Sequence, residues 1–329
     1  MKTFIKYVAI GFALLLAGTI ISSCVTAGVT IVRAIADETD GTIVIDGEVV
    51  FDFEEEFGDD MFETTEGGFR LFGIQFGGTG EVKSGVFDVT EPITCIDAEG
   101  VTGSLTIERG EVFQVIYENV PVDYRIAMED GKLILEDNSK GVFVIHIGLP
   151  DSSVRITVPE GIALNELLVD NGSGVVNITG METKKFRLDG GSGRMNVNNL
   201  TAQETRFDIG SGSLHVNNSV LGETRLDSGS GACIFEGATA VNMSANSGSG
   251  RIVYKGDLSG NCIFDSGSGS VKLTIRGEEQ DYNIRASLGS GGLYINGRKE
   301  KDSRVNYEDA MNTLTFDTGS GSVSVNFEK

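Results

Sequence analysis

The tripeptide Gly-Ser-Gly recurs with its first glycine at Gly172, Gly191, Gly210, Gly229, Gly248, Gly267, Gly289 and Gly319, and the first five intervals are identical, each nineteen positions. A fixed period of this length is the mark of a stacked-repeat architecture, in which each repeat leans on its neighbours. The last two intervals, Gly267 to Gly289 and Gly289 to Gly319, are longer and read as insertions between stacked units. Three residues before each turn stand Val169, Leu188, Phe207, Leu226, Ala245, Phe264, Ala286 and Phe316, and two positions further back stand Leu167, Phe186, Thr205, Thr224, Met243, Cys262, Ile284 and Leu314. Four residues after it come Val176, Met195, Leu214, Cys233, Ile252, Val271, Leu293 and Val323. Apolar residues alternate with period two on both sides of the turn, so each repeat predicts two short β-strands with one buried face. A helix would need spacings of three and four.

Two strands and two turns make one coil. Coils stacked at about 4.8 Å pair each strand in parallel with its equivalents above and below, so eight coils give a rod of about 40 Å. The fold class expected is all-β, a parallel β-solenoid over 82–329. The turn glycines fit a corner that needs positive φ or a close backbone approach. Upstream, Leu133-Ile134-Leu135, Val142 to Ile147 and Val154 to Val158 read as strands of less regular opening coils.

The outward positions form columns too. Two residues before the turn lie Asp170, Asp189, Asp208, Asp227, Asn246, Asp265, Ser287 and Asp317, and two before those lie Arg187, Arg206, Arg225 and Arg285. Stacked carboxylates repel, and Arg-x-Asp in three consecutive coils predicts an ion-pair lattice that relieves the repulsion. Each Asp is also expected to accept hydrogen bonds from the N–H groups of its own turn. A calcium ladder is the functional rival, but calcium-binding β-helix repeats have a nine-residue period with glycines ahead of the Asp, so no metal is assigned. Each Gly-Ser-Gly leads into a strand and never into a helix, which removes the helix-terminus cradle a phosphate loop needs.

Other chemistry is sparse. The chain has no Trp and two histidines, His146 and His215, both in strand-like runs. Its four cysteines, Cys24, Cys95, Cys233 and Cys262, show no CxxC spacing. No catalytic residue, cofactor or metal site is expected, and the chain is not expected to be an enzyme. A formal net charge of −22 opposes nucleic acid as a partner.

Residues 1–6 carry Lys2 and Lys6 ahead of an uncharged run from Tyr7 to Val32. That length predicts a spanning helix over 7–36 with a cytoplasmic start, so the membrane is a partner and the rest of the chain is extracytoplasmic. Ile21-Ser22-Ser23-Cys24 also matches a lipobox, which would anchor the chain by a lipid on Cys24, but the apolar run continues past the cysteine and favours the span. Asp37 to Glu66 holds thirteen acidic residues and no basic one, an acidic linker, 37–81, with short strands allowed within it.

The run Val154 to Gly161, then Leu167 to Ile178 with its Asp170-Asn171-Gly172-Ser173-Gly174, then the recurring Leu/Phe-Asp-x-Gly-Ser-Gly, resembles a bacterial family of β-strand-repeat proteins of unknown function labelled as candidate adhesins. The resemblance covers Val82 to the end. It implies a short cytoplasmic start, one span, a right-handed β-solenoid and a place in the cell envelope, with a wall polymer or an envelope protein as partner. It carries no catalytic residue. The expected function is thus a structural or adhesin-like binding protein. A carbohydrate-active β-helix enzyme and a regulatory partner of an envelope-stress sensor stand as alternatives.

Overall fold

The computed structural model describes residues 82–100, 103–137, 152–300 and 304–328 in full, and the backbone of short strands at 42–45, 48–52, 62–65, 68–71, 74–77 and 144–145. The expected helix over 7–36, Cys24, the cytoplasmic start and His146 lie outside the described residues. Among the described residues no helix is long and apolar enough to cross a membrane.

The chain divides into two units, Met1–Glu81 with Ser139–Pro150, and Val82–Asn138 with Asp151–Lys329. In the first, Thr42–Ile45 and Glu48–Asp52 form an antiparallel hairpin. Phe62–Thr65, Gly68–Leu71 and Ile74–Gly77 form an antiparallel meander, on whose last strand Val144–Ile145 pairs in parallel. The run around Val144, expected among the opening coils, therefore belongs to this small sheet.

The second unit is a stack of two-stranded rungs. Its middle is sequential: Leu164–Asn171 pairs in parallel with Glu182–Gly190, that strand with Thr201–Ile209, and that one with Val220–Ser228. Register is one full period of the repeat, as Phe207 faces Leu226 and Leu226 faces Ala245. After each Gly-Ser-Gly corner the second strands repeat this, with Val176 on Met195, Met195 on Leu214, Leu214 on Cys233, Cys233 on Ile252 and Ile252 on Val271. The stacked apolar columns form one buried core. Edge-to-face ring contacts at 5.8 Å join Phe186 to Phe207 and Phe207 to Phe235, so large side chains interlock between neighbouring columns.

At the ends, the order of rungs departs from the order of the chain. After Asn261–Ser266 and Ser270–Arg276, the next repeat, Tyr282–Leu288 with Leu293–Ile295, does not sit on them. The last repeat does: Asn312–Thr318 pairs with Asn261–Ser266, and Val323–Glu328 with Ser270–Arg276. Tyr282–Leu288 and Leu293–Ile295 then pair on the far side of that last repeat. The lengthened interval from Gly267 to Gly289, expected as an insertion between stacked units, is a step over one rung.

The amino-terminal end mirrors this. Cys95–Glu99 and Ser104–Gly110 form a rung directly below Leu164–Asn171 and Val175–Thr179. Below it lies an outer rung of Lys132–Asp137 and Ser153–Pro159. These two rungs carry no Gly-Ser-Gly and bring the stack to ten among the described residues, against the eight copies counted in the sequence.

Chain spacing records the step. The column residues on either side of an ordinary rung-to-rung corner are eight positions apart, as from Ile178 to Phe186 or Val197 to Thr205. Across the two stepped corners they are eleven apart, from Ile156 to Leu167 and from Leu273 to Ile284. Three residues add reach of up to about 10 Å, enough to climb one further rung spacing of about 4.8 Å.

Both ends are closed by antiparallel strands. Tyr124–Glu129 covers Lys132–Asp137 and Gln114–Pro121 covers Ser153–Pro159, with Val82–Asp88 beyond it. At the other end Arg304–Val305 lies on Tyr282–Leu288, and Arg298–Lys299 on Leu293–Ile295. The lengthened interval between Gly289 and Gly319 thus supplies an edge cover, Arg298–Lys299 and Arg304–Val305, which interrupts the parallel template that would otherwise accept further rungs.

Candidate binding face

The strand before each Gly-Ser-Gly corner turns its Asp and Arg positions outward by the alternation that buries its apolar columns. Parallel register then sets Asp170 beside Asp189, Asp189 beside Asp208, and Asp208 beside Asp227. Arginine offsets the repulsion within each rung. Arg187 Nε donates to Asp189 Oδ2 at 2.9 Å, Arg206 Nε to Asp208 Oδ2 at 2.7 Å and Arg225 Nε to Asp227 Oδ2 at 2.8 Å. The first two guanidinium groups also reach toward the next rung, with Arg187 3.8 Å from Asp208 and Arg206 3.8 Å from Asp227. The three rungs share one ion-pair lattice, closed by Asn246 Nδ2 donating to Asp227 Oδ1 at 2.8 Å.

Electrostatics differ along the column. Burial raises the Asp227 carboxyl, but hydrogen bonds from Arg225 and Asn246 and the Arg225 and Arg206 charges outweigh it and hold it below the usual carboxylate value. At the start of the column Asp170 is pushed up by burial and by the Asp189 and Asp97 charges, against the pull of Arg187. In the three rungs from Asn246 to Asp317 the arginine position is filled by Ser244, Ile263 and Thr315, and Arg285 returns to it in the outer rung. Asp265 and Asp317 are register partners there, and burial together with the Asp317 charge raises Asp265. A groove of about 810 Å³ runs over this stretch, lined by Asp208, Asp227, Asn246, Asp265 and Asp317 with the intervening corners.

Seven of the eight corners open on glycine because of close approach, whereas a Cβ on Gly172 would meet nothing within 4 Å. A Cβ on Gly191 would lie 2.2 Å from the carbonyl oxygen of Gly172, one on Gly231 1.9 Å from that of Gly212, and one on Gly319 2.6 Å from that of Gly267. Gly289 meets Gly319 in the same way, at 2.1 Å, which follows the stepped rung order. Gly210, Gly229, Gly248 and Gly267 each face the corner below at 2.6–3.0 Å. None of the eight turn glycines has positive φ. Left-handed backbone sits at the opposite corner, at Gly161, Gly180, Asn199, Asn218 and Gly237, which recur with the same period and form a column that the sequence reading does not single out.

Contrary to the expectation from sequence, the corner N–H groups do not take the Asp carboxylates as acceptors. They donate across rungs to backbone carbonyls, Gly191 to Asn171 at 3.0 Å, Ser192 to Gly172 at 2.8 Å and Gly210 to Gly190 at 2.7 Å. Stacking in register brings those carbonyls into line and leaves the Asp side chains for Arg and Asn. Two amide pairs also lie outside the sequence reading, in neighbouring outward columns of the second strands: Asn196 Nδ2 donates to Asn177 Oδ1 at 2.8 Å and Asn217 Nδ2 to Asn198 Oδ1 at 2.9 Å. Their signal is present as Asn at the matching positions of successive repeats.

No group of three or more His, Cys, Asp or Glu among the described residues is placed to hold a metal ion. His215 lies half-buried on the strand Ser213–Asn217. Cys233 and Cys262 are buried thiols, and burial pushes Cys233 up to about 11, away from nucleophilic use. The face offers a rigid, periodic set of charged and amide groups for recognition.

Among solved structures, a candidate adhesin from Parabacteroides distasonis is 16% identical with a TM-score of 0.50, the alignment covering 75% of this chain and 98% of that one. A candidate adhesin from Bacteroides fragilis is 15% identical with a TM-score of 0.40, covering 74% and 97%. A third, from Parabacteroides merdae, is 13% identical at a TM-score of 0.35, covering 75% and 97%. The first of these likenesses shows a shared all-β fold. No curated protein matches the chain. The family profile Toastrack DUF4097 matches residues 119–326, well over half the sequence, and the chain belongs to that family.

Proposed function

We propose that this protein is an envelope rod that binds without cleaving, held at the membrane by its amino-terminal segment and presenting the Asp, Arg and Asn ladders to a wall polymer or an envelope protein. The observation that carries this reading is the groove over Asp208 to Asp317, where a largely acidic column crosses five successive rungs held by a continuous core. A repeating face suits a repeating or extended partner, because each rung contributes a weak contact and the stack adds them. The all-β architecture shared with a candidate adhesin supports the same reading.

The uncharged run Tyr7 to Val32 supports a single span with the rod outside, and a lipid on Cys24 is the second route to the same surface. Winding is taken as right-handed, as parallel crossovers almost always are.

The test is incubation of the 82–329 fragment with purified wall polysaccharides and with solubilised envelope proteins. Retention of a polymer or capture of one envelope protein, with no soluble fragments released, supports binding. Release of oligosaccharides would replace the proposal with a carbohydrate-active enzyme. Fractionation of cells making the intact chain tests the anchor: recovery in the soluble fraction, with and without Cys24→Ala, overturns it.

A further inference from the structure

We propose that the last coil of the chain, residues 312–328, is a keystone: the outer rung 282–295 can take its place only after this later segment has docked. Four observations carry it. The strands Tyr282–Leu288 and Leu293–Ile295 have parallel ladders with Asn312–Thr318 and Val323–Glu328 and with no other strand among the described residues. Their remaining partners, Arg298–Lys299 and Arg304–Val305, follow directly on the outer rung and are short antiparallel edge strands, so the only seat the outer rung has on the stack among the described residues is 312–328. The last coil is laddered on both edges, to Asn261–Ser266 and Ser270–Arg276 on one side and to the outer rung on the other. The corner from Leu273 to Ile284 is three residues longer than an ordinary one, so the chain is built to leave a rung vacant and come back to it.

The consequence is an asymmetry. Residues 312–328 can stay docked when the outer rung opens, because their ladder to 261–276 is intact. The outer rung cannot stay when 312–328 leaves, because its seat goes with them. This end of the stack is therefore completed by residues 312–328, and loss of that segment opens two rungs at once.

Contacts at the crossover fit this. Gly277 N donates to Glu328 O at 2.9 Å, and Tyr282 Oη donates to Leu258 O at 2.7 Å, so the stepped corner is fastened both to the keystone and to the rung below it. Glu279 gathers Asn296 Nδ2 at 2.8 Å, Tyr307 Oη at 2.8 Å and Arg298 at 3.2 Å, tying the return segment to the same corner.

Hydrogen–deuterium exchange on the full chain tests the asymmetry with one buried charge in each rung. In Phe316→Asp, amides of both 282–295 and 312–328 should exchange about tenfold faster or more, while 164–259 keeps its protection. In Ile284→Asp, only 282–295 should lose protection. Should Phe316→Asp melt the stack further, Phe316→Ala reads the same pattern at lower amplitude. Protection of 282–295 retained in a Phe316 variant, with 312–328 exposed, would show that the outer rung seats directly on 261–276 and would overturn the proposal. Loss of 312–328 in Ile284→Asp would overturn it as well, by making the two rungs one unit.

Discussion

Phe264 and Phe316 stand more than fifty positions apart in the chain, yet they are register partners in adjacent rungs, with ring centroids 5.6 Å apart and planes 21° from parallel. The contact follows from the stepped rung order and places two fully buried rings where the chain returns to fill its vacancy. Phe264→Ala should cost about 3–5 kcal/mol, because the neighbouring ring cannot collapse into the space left. Urea unfolding followed by circular dichroism measures it. A loss below about 1 kcal/mol would mean that the two rings are not packed together.

The corners predict a graded response to one methyl group. Gly231→Ala would bring Cβ to 1.9 Å from the Gly212 carbonyl oxygen, whereas Gly248→Ala meets that of Gly229 at 3.0 Å. The first substitution should lower stability by about 2 kcal/mol or more, and the second by less than about 1 kcal/mol. Equal losses in paired denaturation curves would point to backbone conformation, and not rung-to-rung approach, as the reason for glycine.

Asp227 and Asp265 occupy the same column and should behave oppositely. The Asp227 carboxyl is held low, so its contribution to stability is present above the usual carboxylate range and fades as pH falls through its folded value. Asp265 is held high, so its charge works against the fold at neutral pH and is relieved as pH falls through its raised value. Both groups are partly solvated, and the effects are accordingly modest. At pH 7 Asp227→Asn should destabilise by about 0.5–1 kcal/mol, and Asp265→Asn should stabilise by up to about 0.5 kcal/mol. Both differences should shrink as pH falls below each folded value and the native carboxyls become protonated. Thermal melts across pH check the signs.

Arg109 holds the amino-terminal crossover. Its Nε donates to Gly180 O at 2.7 Å, and its Nη1 to Pro159 O at 2.8 Å and Ile162 O at 2.9 Å, so one largely buried guanidinium serves the stepped corner and the corner of the next rung. Arg109→Met should cost about 2–4 kcal/mol, and Arg109→Lys should recover less than half of that, since an ammonium lacks the planar fork. Full recovery by lysine in chemical denaturation would show that charge, and not geometry, is what matters there.

The repeat, the two strands per coil, the buried columns and the Arg-x-Asp pairs could be read from the sequence because one period governs them all. The rung 95–110 is hard to see there because Glu99-Gly100-Val101-Thr102-Gly103 keeps the length of the corner but only its last glycine. Rung order is hidden for a different reason. Every rung places similar apolar residues in the same columns, so Leu314 and Ile284 fit equally well above Cys262, and side-chain chemistry does not choose between them. The choice lies in the three extra residues between Leu273 and Ile284, which as a sequence look like any loop. The left-handed corner at Asn199 and Asn218 is legible in principle, since Gly and Asn recur there with the same period.

The most direct test of the architecture is cross-linking in one outward column of the carboxyl-terminal rungs. Ile263 and Thr315 are register partners, as are Thr315 and Arg285, which leaves Ile263 and Arg285 two rungs apart, about 9.6 Å and beyond disulfide reach. Under mild oxidation Ile263→Cys with Thr315→Cys should form a disulfide, and Ile263→Cys with Arg285→Cys should not. The reverse outcome would mean that the rungs follow chain order and would contradict the account.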